Sequence, residues 1–402
     1  MTKERKSSRI PFTTVQRKIL LALASVVGLR MLGLFLVMPV FTLYALKFTK
    51  SYFLAGFAFG SYALVMALLQ IPLGRLSDRI GRRKVLMLGM TLFSLGSFIC
   101  AVPHWFPVGM RIGVLIAGRL IQGGGAIVSV AFATVADHIE EENRSTAMAV
   151  LGIPIGISFI VGIIAGPFLA GWLGTPSLFW LSGILGLATD WLLASYLPDT
   201  PPKGGKPAPL MEVIRNQRLI ALDFGGFLMN FFMTTFFYFF PLIVTVKHGV
   251  EMRHYYEILL PMIFISAITM FGFTRGADKG WAVPLSVIAF LVFVPSSVLL
   301  FGPSLLGVST ATLTAVLIGG TLFYIGFTGL EPILPAQVSK AGPASAYGTS
   351  LGVYNSVQFF GSAVAGPLAG ALAARQSPVL VMSVLIVASV IGSLLMLVKS
   401  PA

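Results

Sequence analysis

Long apolar runs interrupted by short polar breaks dominate this chain. Runs of about 20 residues, the length needed to cross ~30 Å of hydrocarbon, recur near 19–45, 52–73, 85–103, 108–136, 146–173 and 177–197, then near 218–246, 255–273, 281–301, 309–336, 347–374 and 377–398. The pattern predicts an all-α multi-pass membrane protein with twelve transmembrane helices. One polar break differs from the rest. PDTPPKGGKPAPL, residues 198–210, is rich in Pro and Gly and reads as a semi-rigid, solvated linker. It divides the chain into a tail (1–18), a six-helix bundle (19–197), a linker region (198–217), a second six-helix bundle (218–398) and a short C-terminus (399–402). The halves correspond at an offset of 200 residues: Arg75 and Asp78 recur as Arg275 and Asp278, and Gly166-Pro167 recurs as Gly366-Pro367. An even number of spans per half gives both halves the same orientation, a parallel repeat about an axis normal to the bilayer.

Composition agrees with lipid as the solvent. Hydrophobic residues make up 56% of the chain and charged residues 10%, and the mean hydropathy is +0.91. A soluble chain of 402 residues could not bury so much apolar surface. The net charge of +14 raises nucleic acid as a partner, but the cations are scattered through short breaks, so anionic lipid headgroups are the expected counter-charge and no nucleic acid is expected. The single cysteine, Cys100, can form no internal disulfide. The N-terminus, MTKERKSSRIPFTTVQRK, shows no cleavage site before the first span. No His/Cys metal spacing, no paired catalytic acids and no phosphate loop occur, so neither enzyme, metal nor cofactor is expected.

Charge sets the topology. With the N-terminus inside, 20 of the 28 Lys and Arg fall in cytoplasmic segments, five in outer loops and three within spans. Retention of cations on the cytoplasmic side then places both termini there, in a cell inner membrane. The break after the second span is the most charged: G-R-L-S-D-R-I-G-R-R-K-V-L from Gly74 to Leu86 holds five cations, Asp78 and two glycines, Gly74 and Gly81, expected to turn the backbone tightly. A positive-inside loop accounts for its cations but not for Asp78 and the glycines at these spacings.

These residues resemble the signature of the major facilitator superfamily between spans 2 and 3, G-x-L-x-D-R-x-G-R-R/K-x-x-L/I. The fourth span carries L-x-x-x-R-x-x-Q-G-G-G-A (Leu115, Arg119, Gln122, Gly123, Gly124, Gly125, Ala126), similar to the superfamily's second motif. The fifth carries G-x-x-x-G-P-x-x-A-G (Gly162, Gly166, Pro167, Ala170, Gly171), similar to the motif of the twelve-span drug/proton antiporter branch. Leu29 to Val40 and Gly352 to Gly361 look like YajR-type transporters within it. Some of those carry a soluble C-terminal domain, which this chain, ending at Ala402, is expected to lack. The resemblance implies a gate made of Gly74, Asp78, Arg79, Gly81, Arg82 and Asp137, with Arg82 and Asp137 as a relay. Asp78 is expected to face the start of span 11 near residues 346–347, where a helix dipole favours an anion. As an alternative, Asp137 is an ordinary solvated acid. The glycines and proline of span 5 by themselves indicate close helix packing and a bend. Antiport is an implication of the family.

Charges inside spans carry the remaining chemistry, since an ionisable group in hydrocarbon costs at least ~2.5 kcal/mol and faces a cavity or a partner. Arg30 lies in mid-span 1 and Arg119 deep in span 4. They belong either to a central cavity and proton path or to structural bonds with backbone carbonyls. Arg111, nearer a span end, can snorkel. Four acids lie within or at the edge of spans: Asp190, Asp223, Glu257 and Glu331. Asp223 shares a helical face with Phe227, Asn230, Thr234 and Tyr238, and Glu331 shares one with Tyr324 and Thr328. Asp223 and Glu331, with Arg119, are the proton-coupling candidates, and a gating ion pair is their alternative role. The substrate-cavity candidates are Arg30, Gln122, Asn230, Phe231, Tyr238, Tyr324, Asn355 and Gln358.

The expected function is proton-coupled efflux of small amphipathic or drug-like molecules by rocking two bundles around a midplane site. The expected partners are a small-molecule substrate, protons and the lipid bilayer, with the chain as a monomer. An alternative keeps the fold and carries a specific metabolite, siderophore or other anionic cargo by uniport or symport, which Arg30 and Arg119 would favour. A non-transporting membrane sensor is the remote alternative.

Overall fold

A computed structural model of the protein describes residues 12–199, 210–306, 311–343 and 347–398. Residues 1–11 of the tail, 200–209 of the linker and 399–402 lie outside them. Among the described residues the chain is helical, without strands. The first half forms α1 (Thr14–Leu46), α2 (Tyr52–Ile80), α3 (Arg82–Ala101), α4 (Val108–Val135), α5 (Glu141–Leu173) and α6 (Thr175–Tyr196). The second begins with α7 (Gln217–Lys247). A 50-residue helical stretch, Met252–Phe301, is divided by Gly280 at φ 95° into α8 (Tyr255–Gly276) and α9 (282–301). The chain closes with α10 (Leu313–Ala341), α11 (Tyr347–Ala374) and α12 (Pro378–Met396). Large apolar side chains such as Leu21, Leu68, Phe264, Phe271 and Leu394 stand exposed on the outside of the bundle. A membrane supplies their solvent, and there each helix satisfies its backbone hydrogen bonds within itself.

Helix ends depart from the hydropathy boundaries for identifiable reasons. α1 starts at Thr14, because Thr13 and Gln16 form a reciprocal capping box. α2 continues to Ile80 rather than stopping near residue 73. Gly74, expected in the turn, lies inside the helix, and Gly81, at φ 100° and ψ 144°, makes the turn alone before α3 starts at Arg82. Hydropathy reports where hydrocarbon ends; helical hydrogen bonding continues beyond it into water. α4 loses its helix at residues 124–127, just after Gly123. A Cβ there would meet the Tyr62 carbonyl, and one on Gly125 would meet the Phe93 side chain, so the glycine run lets α4 press against α2 and α3. Residues Leu210–Arg215, read as solvated linker, form a short helix with Val213 fully buried.

The two halves meet through α2 with α11 and α5 with α8. The α2–α11 contact is backbone on backbone: added Cβ atoms on Gly56 and Gly60 would strike Gly366 and Ala363 carbonyls, and one on Gly370 would strike Tyr52. In α5, a Cβ on Gly162 would meet Phe35 and one on Gly166 the Leu36 carbonyl, both on α1. One on Gly171 would meet the backbone of Arg253 ahead of α8. Pro167 lies within α5.

Candidate functional site

Between the halves lies a cavity of about 600 Å³, the size class of small-molecule sites. Its lining runs from mid-helix positions to Ile155 of α5, Ser339 of α10 and Leu351 of α11, near the helix ends that share a face with the basic α2–α3 turn. The opposite face is sealed. The Tyr238 hydroxyl donates to the Tyr52 carbonyl at 2.8 Å and Thr42 Oγ1 to the Phe237 carbonyl at 3.4 Å, while Phe159 of α5 packs on Phe327 and Tyr324 of α10. Each of these contacts joins one half to the other.

The wall from the first half is apolar except for Tyr62 and Arg119. Arg119 is 3% exposed, with its guanidinium carbon 4.5 Å from the Tyr62 ring centre and 4.8 Å from that of Phe41. Its Nη1 donates to Gln122 Oε1 at 2.5 Å, and Gln122 Nε2 donates to Ser97 Oγ at 2.8 Å. Arg30, fully buried behind this wall, donates from Nη2 to the Tyr62 hydroxyl at 2.7 Å. Two guanidiniums therefore converge on one tyrosine. Neither forms an ion pair with a described residue, and the Nε of each is buried without a hydrogen-bond partner.

The wall from the second half is polar. Asn230, Thr234, Asn355 and Gln358 line it, and Glu331 projects into the cavity, exposed there. Asp223 is buried two turns before the lining residue Asn230 on α7, with Oδ1 unpartnered. Tyr354 lines the cavity within electrostatic reach of both acids. Its ring packs over Gly226, one turn from Asp223, and its hydroxyl is also unpartnered. This wall mirrors the first with opposite sign. The other two intramembrane acids are engaged locally: Asp190 accepts from Thr91 at 2.9 Å, and Glu257 pairs with His254 at 2.8 Å.

Of the expected cavity residues, Asn230, Asn355 and Gln358 line it, as do the proton-coupling candidates Arg119 and Glu331. Arg30 and Gln122 stand one layer behind, bonded to lining side chains. Phe231 lies buried beside Phe232, Tyr238 belongs to the seal, and Tyr324 is buried in an aromatic cluster with Phe236, Phe237 and Phe323. α7 carries aromatic rings on every side, so spacing alone did not reveal its inward face. Tyr62 and Tyr354 were not singled out. Tyr354 sits inside the Gly352–Gly361 stretch already noted, one residue before Asn355.

At the basic turn, Arg82 gathers three groups. Its Nη2 lies 2.6 Å from Asp78 Oδ1, its Nε 2.9 Å from Asp137 Oδ2, and its Nη1 2.5 Å from Ser77 Oγ. Ser77 donates onward to the Gly74 carbonyl at 2.6 Å. Arg79 ends α2, exposed and apart from this cluster. The Arg82 side chain is 13% exposed and Asp137 22%, against 51% for Asp78. The cluster ties α2, α3 and the end of the α4 segment together within the first half. The expected contact of Asp78 with the start of α11 falls partly on residues 344–346, outside the described residues.

Comparison with known proteins places these features in context. The description Major Facilitator Superfamily matches residues 23–366. The inner membrane transport protein YajR of Escherichia coli (strain K12) is 31% identical over 372 residues, covering 89% of this chain and 78% of that protein. The multidrug resistance protein B homolog of Mycobacterium tuberculosis (strain ATCC 25618 / H37Rv) is 31% identical over 159 residues, 38% of this chain and 28% of that protein. Among solved structures, a D-xylose-proton symporter superposes with a TM-score of 0.76 at 16% identity, over 95% of this chain and 98% of its own.

Proposed function

Because the chain belongs to the major facilitator superfamily, a family of membrane transporters rather than enzymes, we propose that it exports small amphipathic molecules in exchange for protons. The observation that carries this reading is a central cavity that reaches the basic face, is sealed at the other, and presents Glu331 to its interior. A carboxyl group partly withdrawn from water can exchange a proton as the halves rock, with Asp223 behind it as a second exchangeable site. The basic face is read as cytoplasmic, with both termini there, in an inner membrane, from the charge bias and from YajR's description as an inner membrane protein. The name of the mycobacterial relative, a multidrug resistance protein homolog, supports a drug-like cargo. Arg82, with Asp78 and Asp137, acts as the latch on the cytoplasmic side.

The test is flux in proteoliposomes over a panel of cationic, anionic and neutral amphipaths, with and without a pH gradient. Cargo should accumulate faster in vesicles with an acidic lumen, where protons leave as cargo enters. Identical flux with no gradient removes proton coupling. If Asp223→Asn and Glu331→Gln both keep full gradient-driven flux, neither acid carries the proton. The two buried guanidiniums favour a second reading, an anionic cargo moved by uniport or symport. Flux of the anionic arm that an acidic lumen does not accelerate would select it.

A further inference from the structure

The two walls of the cavity carry opposite charge at separate points. Arg119 lines the first wall with its Nε unpartnered, and Glu331 lines the second, with no ion pair between either group and any other described residue. Behind each stands a second group of the same sign: Arg30 bonded to Tyr62, and Asp223 within electrostatic reach of Tyr354. Buried charge is costly unless it is paired. Arg119, which is buried, and Glu331, which is exposed to the cavity, do not pair with each other across it, so water or a guest entering the cavity supplies what each lacks.

The remaining lining orients that guest. The arginine wall is otherwise apolar, with Met31, Leu34, Phe35 and Phe59, whereas the glutamate wall carries Asn355 and Gln358. A guest with a single charge would leave the opposite wall unmatched. We propose that the cargo is an amphipathic zwitterion, with an anionic group seated on Arg119, an apolar body against the first wall, and an ammonium group at Glu331. This rests on the reading that the cavity is the transport site and deepens it by naming the substrate class.

The test uses binding, so that its failure is separable from failure of proton-coupled export. Norfloxacin serves as a fluorescent probe with a carboxylate and an amine at opposite ends of a flat apolar body. Its methyl ester keeps only the positive charge and its N-acetyl derivative only the negative one. Equilibrium dialysis of all three against the purified full chain should show the zwitterion bound at least about tenfold more tightly than either analogue, since one close, partly desolvated charge pair between binding partners contributes at least about that factor. Arg119→Gln should bring the zwitterion down to the affinity of the ester, and Glu331→Gln down to that of the N-acetyl form. Equal affinity of the three compounds for the unmodified protein overturns the proposal without needing a variant. Equal loss for all three compounds in a monodisperse Arg119→Gln protein also overturns it. Gradient-driven flux of a permanent cation such as tetraphenylphosphonium, alongside equal binding of the three compounds, would sink the zwitterion and leave proton-coupled export standing.

Discussion

The α2–α3 turn and the α8–α9 turn are copies of one device, and only one of them is wired. Both reverse the chain at a glycine with positive φ, Gly81 at 100° and Gly280 at 95°, and both keep an Arg and an Asp three residues apart. At the same offset of 200, however, Arg82 becomes Ala282, Ser77 becomes Ala277 and Asp137 becomes Gln337. In the second half Arg275 and Asp278 form no ion pair with a described residue. Gln337 bonds instead to Arg218 and Ser286, and Arg218 also donates to the Met396 and Val398 carbonyls at the end of α12. Duplication preserved the backbone that makes the hairpin. The charged cluster belongs to one half only, so the hairpin forms without it in the other.

That contrast can be broken most severely at Arg82. Arg82→Ala deprives two carboxylates and a hydroxyl of their donor and should lower stability by about 3 kcal/mol, whereas Arg275→Ala, at an exposed site, should stay within about 0.5 kcal/mol. Thermal unfolding of the detergent-solubilised protein measures both. Next come the glycines. At φ 100° and ψ 144°, Gly81 occupies a region nearly closed to other residues, so Gly81→Ala should cost about 2 kcal/mol. Gly280, at φ 95° and ψ 2°, is closer to the left-handed helical region, and Gly280→Ala should cost about 1 kcal/mol. Equal costs in the same melt would mean that the two turns are strained alike.

Asp78→Asn should leave stability nearly unchanged, because the side chain is half exposed. It should nevertheless slow maximal flux by about tenfold, equivalent to about 1.4 kcal/mol in the barrier, while Asp278→Asn transports normally. Matching rates for the two variants, measured in proteoliposomes, would strip Asp78 of its gate role. The smallest effect sharpens the comparison from the other side. Ala282→Arg restores the missing donor beside Asp278 and should add no more than about 0.5 kcal/mol, because no carboxylate equivalent to Asp137 awaits it.

The sequence disclosed the architecture well because hydrocarbon thickness imposes a length on every span, and that length survives any detail of packing. It disclosed helix ends poorly: the α2 helix passes through Arg75, Asp78 and Arg79, which hydropathy reads as loop. The charged members of the cavity were readable because ionisable groups are scarce in lipid-length segments, so Arg119 and Glu331 stand out singly. The aromatic members were not. With rings on all sides of α7, nothing in the spacing separated Tyr238, which closes the seal opposite the basic turn, from Asn230, which faces the cavity. Tyr62 and Tyr354 matter because of the two charges each one meets, a relation between distant segments that spacing along one helix cannot express.

The glycine contact between α2 and α11 bears on how the molecule cycles. Where Gly56 and Gly60 rest on Gly366 and Ala363, there are no side-chain rotamers to reset and no interdigitated knobs to withdraw. Such a surface can part and meet again along many slightly different tracks at nearly the same energy. A transporter built around it would lose little to friction on each stroke.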